Sequence, residues 1–250
     1  MNSSPFPSSK PNGFALTELA IALIIIGVVS GMGISLMTHR LSQKSRQIDE
    51  QRHDVIMHAL ASYALHHNRL PWAADPAASK NQFGSKAENL TVGIVPFRDL
   101  GLDPSLVKDS HKNYITYVVY KDLSNITYTG EGEGKRKFCN KDLFKGMNGI
   151  SFDDFASSKA QFIAIVLISH GSNGHGAFLC NGTRNQRIDP NAGLEEQKNA
   201  QALKIGIANT SQNRKITLYK QGAPQSPFRH YISFVTRDNL RAVYGKEPCS

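Results

Sequence analysis

The residues whose types could do chemistry in this chain cluster in Ser169-His170-Gly171-Ser172-Asn173-Gly174-His175-Gly176, directly after an apolar run from Phe162 to Ser169 that reads as a buried strand. Ser169 or Ser172 could serve as nucleophile with His170 or His175 as base. Two features oppose that chemistry. The segment lacks a G-x-S-x-G elbow, and successive strand residues point to opposite faces, so Ser169 and His170 would not naturally meet. Its glycines follow a G-x-x-G-x-G spacing rather than G-x-G-x-x-G, and a short apolar stretch comes next where a dinucleotide site needs a helix. The segment reads as a glycine-rich turn.

Other candidates are thinner. Thr129 to Lys135, TGEGEGK, has neither the spacing nor the Ser/Thr of a phosphate-binding P-loop and reads as a turn. His66-His67 and Asp153-Asp154 could each contribute metal ligands, but no second cluster at matching spacing accompanies them, so a solvated helix end and a cap are expected. Cys139, Cys180 and Cys249 form no C-x-x-C pair. No metal and no cofactor is therefore expected. In an oxidising compartment one disulfide could form, with three pairings open and three reduced thiols as the alternative. Cys180, at the end of a predicted core strand, is the expected participant, with Cys139 preferred over the terminal Cys249 as its partner.

The elements that would carry these residues start with a membrane-type segment. Residues 14 to 37 read FALTELAIALIIIGVVSGMGISLM, long enough to cross a hydrocarbon core of about 30 Å, which takes about 20 helical residues. The run is too long for the apolar stretch of a secretory signal, about 7 to 15 residues, and a short polar leader with Pro5, Pro7 and Pro11 precedes it. Glu18 stands alone as a carboxylate in this run, at a cost of about 2.5 to 3.5 kcal/mol at mid-bilayer and less near an interface. It needs either headgroup solvation or a partner.

Gly13-Phe14-Ala15-Leu16-Thr17-Glu18 before a long Leu/Ile/Val/Ala/Gly helix resembles the cleavage and methylation motif of type IV prepilins and of the pseudopilins of type II secretion. The resemblance implies that a prepilin peptidase cuts after Gly13 and methylates Phe14, making Glu18 the fifth residue of the mature chain. It also implies an inner-membrane protein with a periplasmic ectodomain, and pilin or pseudopilin subunits as partners. The physical sense is direct. A new Phe14 amine is positive, and a neighbour's Glu18, buried as helices bundle, would recover in an ion pair much of its desolvation cost. A side-chain-free Gly13 lets a peptidase approach the scissile bond. Asp153 and Asp154 could belong to a calcium loop, as in some pseudopilins.

Charge supplies a contrary signal. His39, Arg40, Lys44 and Arg46 outweigh the leader's Lys10, and the positive-inside bias alone would hold residues 38 onward in the cytoplasm; large domains translocate regardless, and the motif takes precedence. The formal net charge of +9 could meet acidic neighbours, anionic lipid or nucleic acid without naming one.

Beyond Thr38, Ile48, Val55, Ile56, Ala59, Leu60 and Tyr63 fall on one predicted helical face, with no proline until Pro71. A helix from Phe14 to Leu70 would span about 85 Å. Strands are predicted over Tyr114 to Tyr120, Phe162 to Ser169 and Tyr231 to Thr236, with shorter ones at Gly176 to Cys180 and Lys215 to Tyr219, a loop over Ala73 to Lys86 and a surface helix over Leu194 to Leu203. Leu70-Pro71-Trp72, Val95-Pro96-Phe97 with Leu100-Gly101-Leu102, and Ile168-Ser169-His170-Gly171 also look like regions of some prepilin-type proteins. The expected fold class is α+β and pilin-like: a long N-terminal helix, membrane-spanning in its first half, packed on an antiparallel β-sheet. The expected organisation is a leader over 1–13, a membrane or filament-core helix over 14–37, an amphipathic continuation over 38–70 and a globular ectodomain over 71–250. The expected function is a non-enzymatic structural subunit, leaning to a minor one, of a type IV pilus or type II pseudopilus. A single-pass membrane-anchored enzyme and a nucleic-acid or surface-binding tip module are the alternatives.

Overall fold

The computed structural model describes residues 16–67, 69–124, 150–152, 163–208, 216–220, 228–236 and 239, side chains of 28–39, 207 and 208 aside. In chain order the elements are α1 (Leu16–His67), β1 (Val92–Ile94), β2 (Thr116–Val119), α2 (Lys121–Ser124), β3 (Ile150–Phe152), β4 (Ile163–Ser169), α3 (Leu194–Ala208), β5 (Ile216–Leu218) and β6 (Tyr231–Thr236). The chain divides into two compact units, residues 1–44 and 45–250.

In the larger unit the sheet is organised by β4, whose seven residues Ile-Ala-Ile-Val-Leu-Ile-Ser are buried throughout. A strand apolar on both faces must be covered on both, which places it centrally. It pairs antiparallel with β2, matching Tyr117 to Leu167, and with β6, matching Ile168 to Ile232. β1 extends the sheet beyond β2. β3 meets the start of β4 at Ile163 and runs parallel to β5, with Ile150 opposite Ile216 and Phe152 opposite Leu218. The core gathers Ile56, Leu60, Leu70, Ile94, Ile115, Tyr117, Ile165 and Leu167, all fully buried.

Part of α1 closes this core. Its inward face is Asp49, His53, Ile56, Leu60, Tyr63 and Ala64, spaced at three and four residues. That face is rotated from the one predicted. Val55 is 40% exposed, and Ile48 and Ala59 are only half-buried, because Asp49 and His53 have buried hydrogen-bond partners and take inward positions that hydrophobicity alone assigns elsewhere. Asp49 Oδ1 accepts from the Ser110 backbone N–H at 2.6 Å, and Arg52 Nη1 donates to the Lys108 carbonyl at 2.9 Å.

The expected fold class is overturned. The sheet is a curled, mixed half-barrel with a parallel β3–β5 pair, not an antiparallel sheet. No long N-terminal helix lies packed along it: the inward face of α1 runs from Asp49 to Ala64 alone, while every residue of 16–27 is exposed. Among the described residues no helix is long and apolar enough to cross a membrane. The physical reason is that helical periodicity records which residues are apolar, while strand direction and the helix's seat depend on partners distant in sequence. At shorter range, Gly176 to Cys180 forms only an isolated bridge, Phe178 to Gln186. Leu194 to Leu203 belongs to the longer α3, a surface helix that leaves Gln197, Lys198, Gln201 and Lys204 exposed and turns Glu195, Glu196, Asn199, Ala200 and Leu203 inward.

Candidate functional site

Two places in the chain hold side chains that sequence chemistry singled out: the turn after β4 and the start of α1. Around the turn, residues from five separate segments converge on a buried polar network.

Ser169 ends β4 with no exposed surface, and its hydroxyl meets His53 Nε2 at 2.9 Å, a contact between residues 116 positions apart. The other imidazole nitrogen, Nδ1, meets Ser233 Oγ of β6 at 2.6 Å. Ser169 and His170 point apart, as strand alternation requires. His170 Nδ1 lies 2.8 Å from the His175 carbonyl, which can only accept, so that nitrogen carries the proton and Nε2 accepts from the Thr116 hydroxyl at 2.7 Å. His230 Nε2 donates to the same His175 carbonyl at 2.9 Å. One backbone oxygen is thus held by two histidines from different parts of the sheet.

The turn itself is tied down at each residue that bends. Asp109 accepts from the His170, His111 and Asn113 backbone N–H groups and from Asn113 Nδ2, while Asn113 Nδ2 also reaches the Gly171 carbonyl at 3.2 Å. Glu196 of α3 accepts from Asn173 Nδ2 at 3.0 Å and from the Arg229 N–H. Gly171 has φ of 66°, and a Cβ there would run into the Arg229 carbonyl, so only glycine fits. His175 Nδ1 accepts from the Asp189 N–H at 2.9 Å, and Ser172 is exposed at the tip.

Electrostatics follows from burial. Loss of water pushes the His53 pKa down from its usual 6.5 to about 3. Burial also lowers the His170 and His230 pKa values, the first helped by its neighbour His230. These rings are neutral hydrogen-bonding groups near pH 7. The pairing of Ser169 with His53 resembles a nucleophile and base, but His53 Nδ1 faces a hydroxyl rather than a carboxylate, and the serine has no open approach. The network is built to hold the turn. Sequence reasoning missed His53, Asp109, Asn113, Thr116, Ser233 and His230; the available signal was Asp49 and His53 at helical spacing from Ile56 and Leu60, polar residues where a core face runs.

At the other place, Glu18 lies exposed in the first turn of α1. The residues around it are apolar on all sides of the helix. Leu16, Leu19, Ile21, Leu23, Ile24, Ile25 and Ile26 are each more than half exposed, and at 100° per residue they cover the whole circumference. A helix apolar all round is at home only inside other apolar matter. Gly13 and Phe14 lie outside the described residues, as do Cys139, Cys249, Thr129 to Lys135 and Asp153-Asp154. Cys180 is a half-buried free thiol whose pKa burial pushes up to about 12. His66 Nδ1 meets the Ser62 carbonyl at 2.8 Å and His67 stacks on Tyr63 with ring centroids 4.1 Å apart, both at the exposed helix end. Among the described residues no group of three or more His, Cys, Asp or Glu is placed to hold a metal ion. In comparisons with known proteins, no family model, no curated protein and no solved structure matches this chain.

Proposed function

We propose that this chain is a prepilin-type structural subunit, cut after Gly13, associated with the bacterial inner membrane through its apolar N-terminal segment, and assembled with like subunits through that segment. The observation that carries the reading is the all-round apolar surface of residues 16–26, left without cover in the single chain and headed by the Gly13-Phe14 junction and Glu18. Lipid covers such a helix before assembly and neighbouring helices cover it afterwards, so the same residues serve both states. The reading rests on this N-terminal segment and not on the fold of residues 45–250.

Glu18 supplies directionality. In lipid it is a costly group near one end of the helix, and in a bundle the methylated Phe14 amine of a neighbour is the cation that would offset it. The partners are therefore a prepilin peptidase and further copies or relatives of this subunit. A structural rather than catalytic role agrees with the closed environment of Ser169.

Intact-mass analysis of protein from its own host tests the reading. The mature chain is expected to begin at N-methylated Phe14. Glu18→Ala and Glu18→Gln are expected to insert normally and to lose incorporation into filaments or pilin complexes, because breaking a buried pair costs about 3 to 5 kcal/mol. Retention of Met1 to Gly13 in assembled protein, or normal assembly of both variants, would refute it.

A further inference from the structure

Apart from the buried network, the larger unit has an open cleft of about 750 Å³ that the network does not use. That volume lies in the range of small-molecule sites, about 300 to 1,000 Å³. Its wall is aromatic. Phe83 meets Phe97 edge-on with ring centroids 5.9 Å apart and meets Tyr114 at 5.4 Å and 81°. Leu102 and Cys180 complete the apolar surface.

The wall is set before any ligand arrives. The Phe97 ring lies against Gly84, whose φ is 84° and where any Cβ would collide with that ring, so the ring is held where only glycine admits it. The two loops that flank the cleft are braced together, since Arg184 Nε donates to Asp75 Oδ1 at 2.9 Å and Arg184 Nη2 to Asp75 Oδ2 at 2.6 Å. A bidentate guanidinium–carboxylate contact fixes both distance and orientation. Arg98 likewise holds the turn at its edge through the Asn81 carbonyl at 2.5 Å and the Lys80 carbonyl at 3.2 Å.

Its charge has one sign. Lys80 and Arg98 line the cleft and are exposed, Lys108 Nζ sits 4.8 Å from the Tyr114 ring centroid, and no carboxylate is among the described lining residues. The geometry points to a binding site for a small planar aromatic molecule bearing a carboxylate, its ring against Phe83, Phe97 and Tyr114 and its anionic group toward Arg98 and Lys80. The apolar wall supplies burial, and the cationic edge selects an acid over its neutral counterpart.

Cys180 lines the same cleft and reports occupancy. Full-length protein in lipid nanodiscs is alkylated with N-ethylmaleimide in the presence of 2-naphthoate or 2-naphthylmethanol, and Cys180 modification is followed by peptide mass spectrometry. The naphthoate is expected to slow the reaction at Cys180 at concentrations on the order of 1 mM or below, with the alcohol about fivefold weaker. Lys80→Glu, at an exposed lining position whose side chain braces nothing among the described residues, is expected to remove the preference for the acid while leaving protection by the alcohol in place. Leu102→Trp, which fills the cleft, is expected to abolish protection by both, with unchanged circular dichroism as the check on folding. No protection by either compound, or equal protection unaltered by Lys80→Glu, would overturn the proposal.

Discussion

His53 makes stability depend on pH in a way that one substitution isolates. In the folded chain its pKa is about 3 against an ordinary 6.5, because burial between Ser169, Ser233 and the Tyr231 ring disfavours the cation. Below pH 6.5 the unfolded chain takes up a proton that the folded chain refuses, so stability falls as pH falls, by about 1.4 kcal/mol per unit, until the folded pKa is reached. At pH 4.5 the loss from this residue alone is about 2.7 kcal/mol. His170 and His230, also lowered by burial, act in the same direction. Asp49, one turn away with its carboxyl pushed up by burial, acts oppositely, since its folded form takes a proton more readily. Comparing the parent with His53→Gln cancels those background groups. The glutamine can bond hydroxyls but does not titrate, and it should cost about 1 to 2 kcal/mol near neutral pH. Urea unfolding of the full chain, followed through the buried Trp72, should show the parent ahead at pH 7.5 and that gap shrinking by about 2.7 kcal/mol, to equality or reversal, by pH 4.5. A gap independent of pH between 6.5 and 4.5 would show that His53 is not buried and neutral, and would refute the reasoning.

The rotated face of α1 is tested by Leu60→Ala, which should cost about 2 to 5 kcal/mol at a fully buried site, against Val55→Ala, which should fall within about 1 kcal/mol; equal losses would restore the face that hydrophobicity alone predicts. Gly171→Ala should destabilise by more than Gly101→Ala, although both sit at φ of 66°, because a Cβ meets the Arg229 carbonyl at the first and open space at the second. The Gly101 change should cost about 1 to 2 kcal/mol from backbone strain alone, and urea midpoints measure both. Cys180, with its thiol pushed up to about 12 by burial, should react with maleimide at pH 8 far more slowly than in denaturant, and equal rates would place it at the surface.

Local pattern alone determined several elements of this protein. The apolar runs of β2 and β4 are legible because strands buried on both faces carry continuous branched and aromatic residues, and half-buried β6 is legible from its aromatic and β-branched content. The turn over Gly171 to Gly176 is legible because glycine spacing reports backbone that other residues cannot adopt. The separation of Ser169 from His170 follows from strand alternation, and the N-terminal apolar run with its Gly13 junction and Glu18 is a feature of sequence that the fold of the larger unit neither adds to nor removes. What only the tertiary structure decided are relations between distant residues. Ser169 finds His53 across 116 positions, β3 pairs in parallel with β5, and Asp49 and His53 turn inward because Ser110, Ser169 and Ser233 are there to receive them. A buried polar group is tolerated only where a partner satisfies it, and that partner is invisible to any local window. The same holds for the aromatic cleft, whose wall joins Phe83, Phe97 and Tyr114 through ring contacts that no spacing in the chain announces.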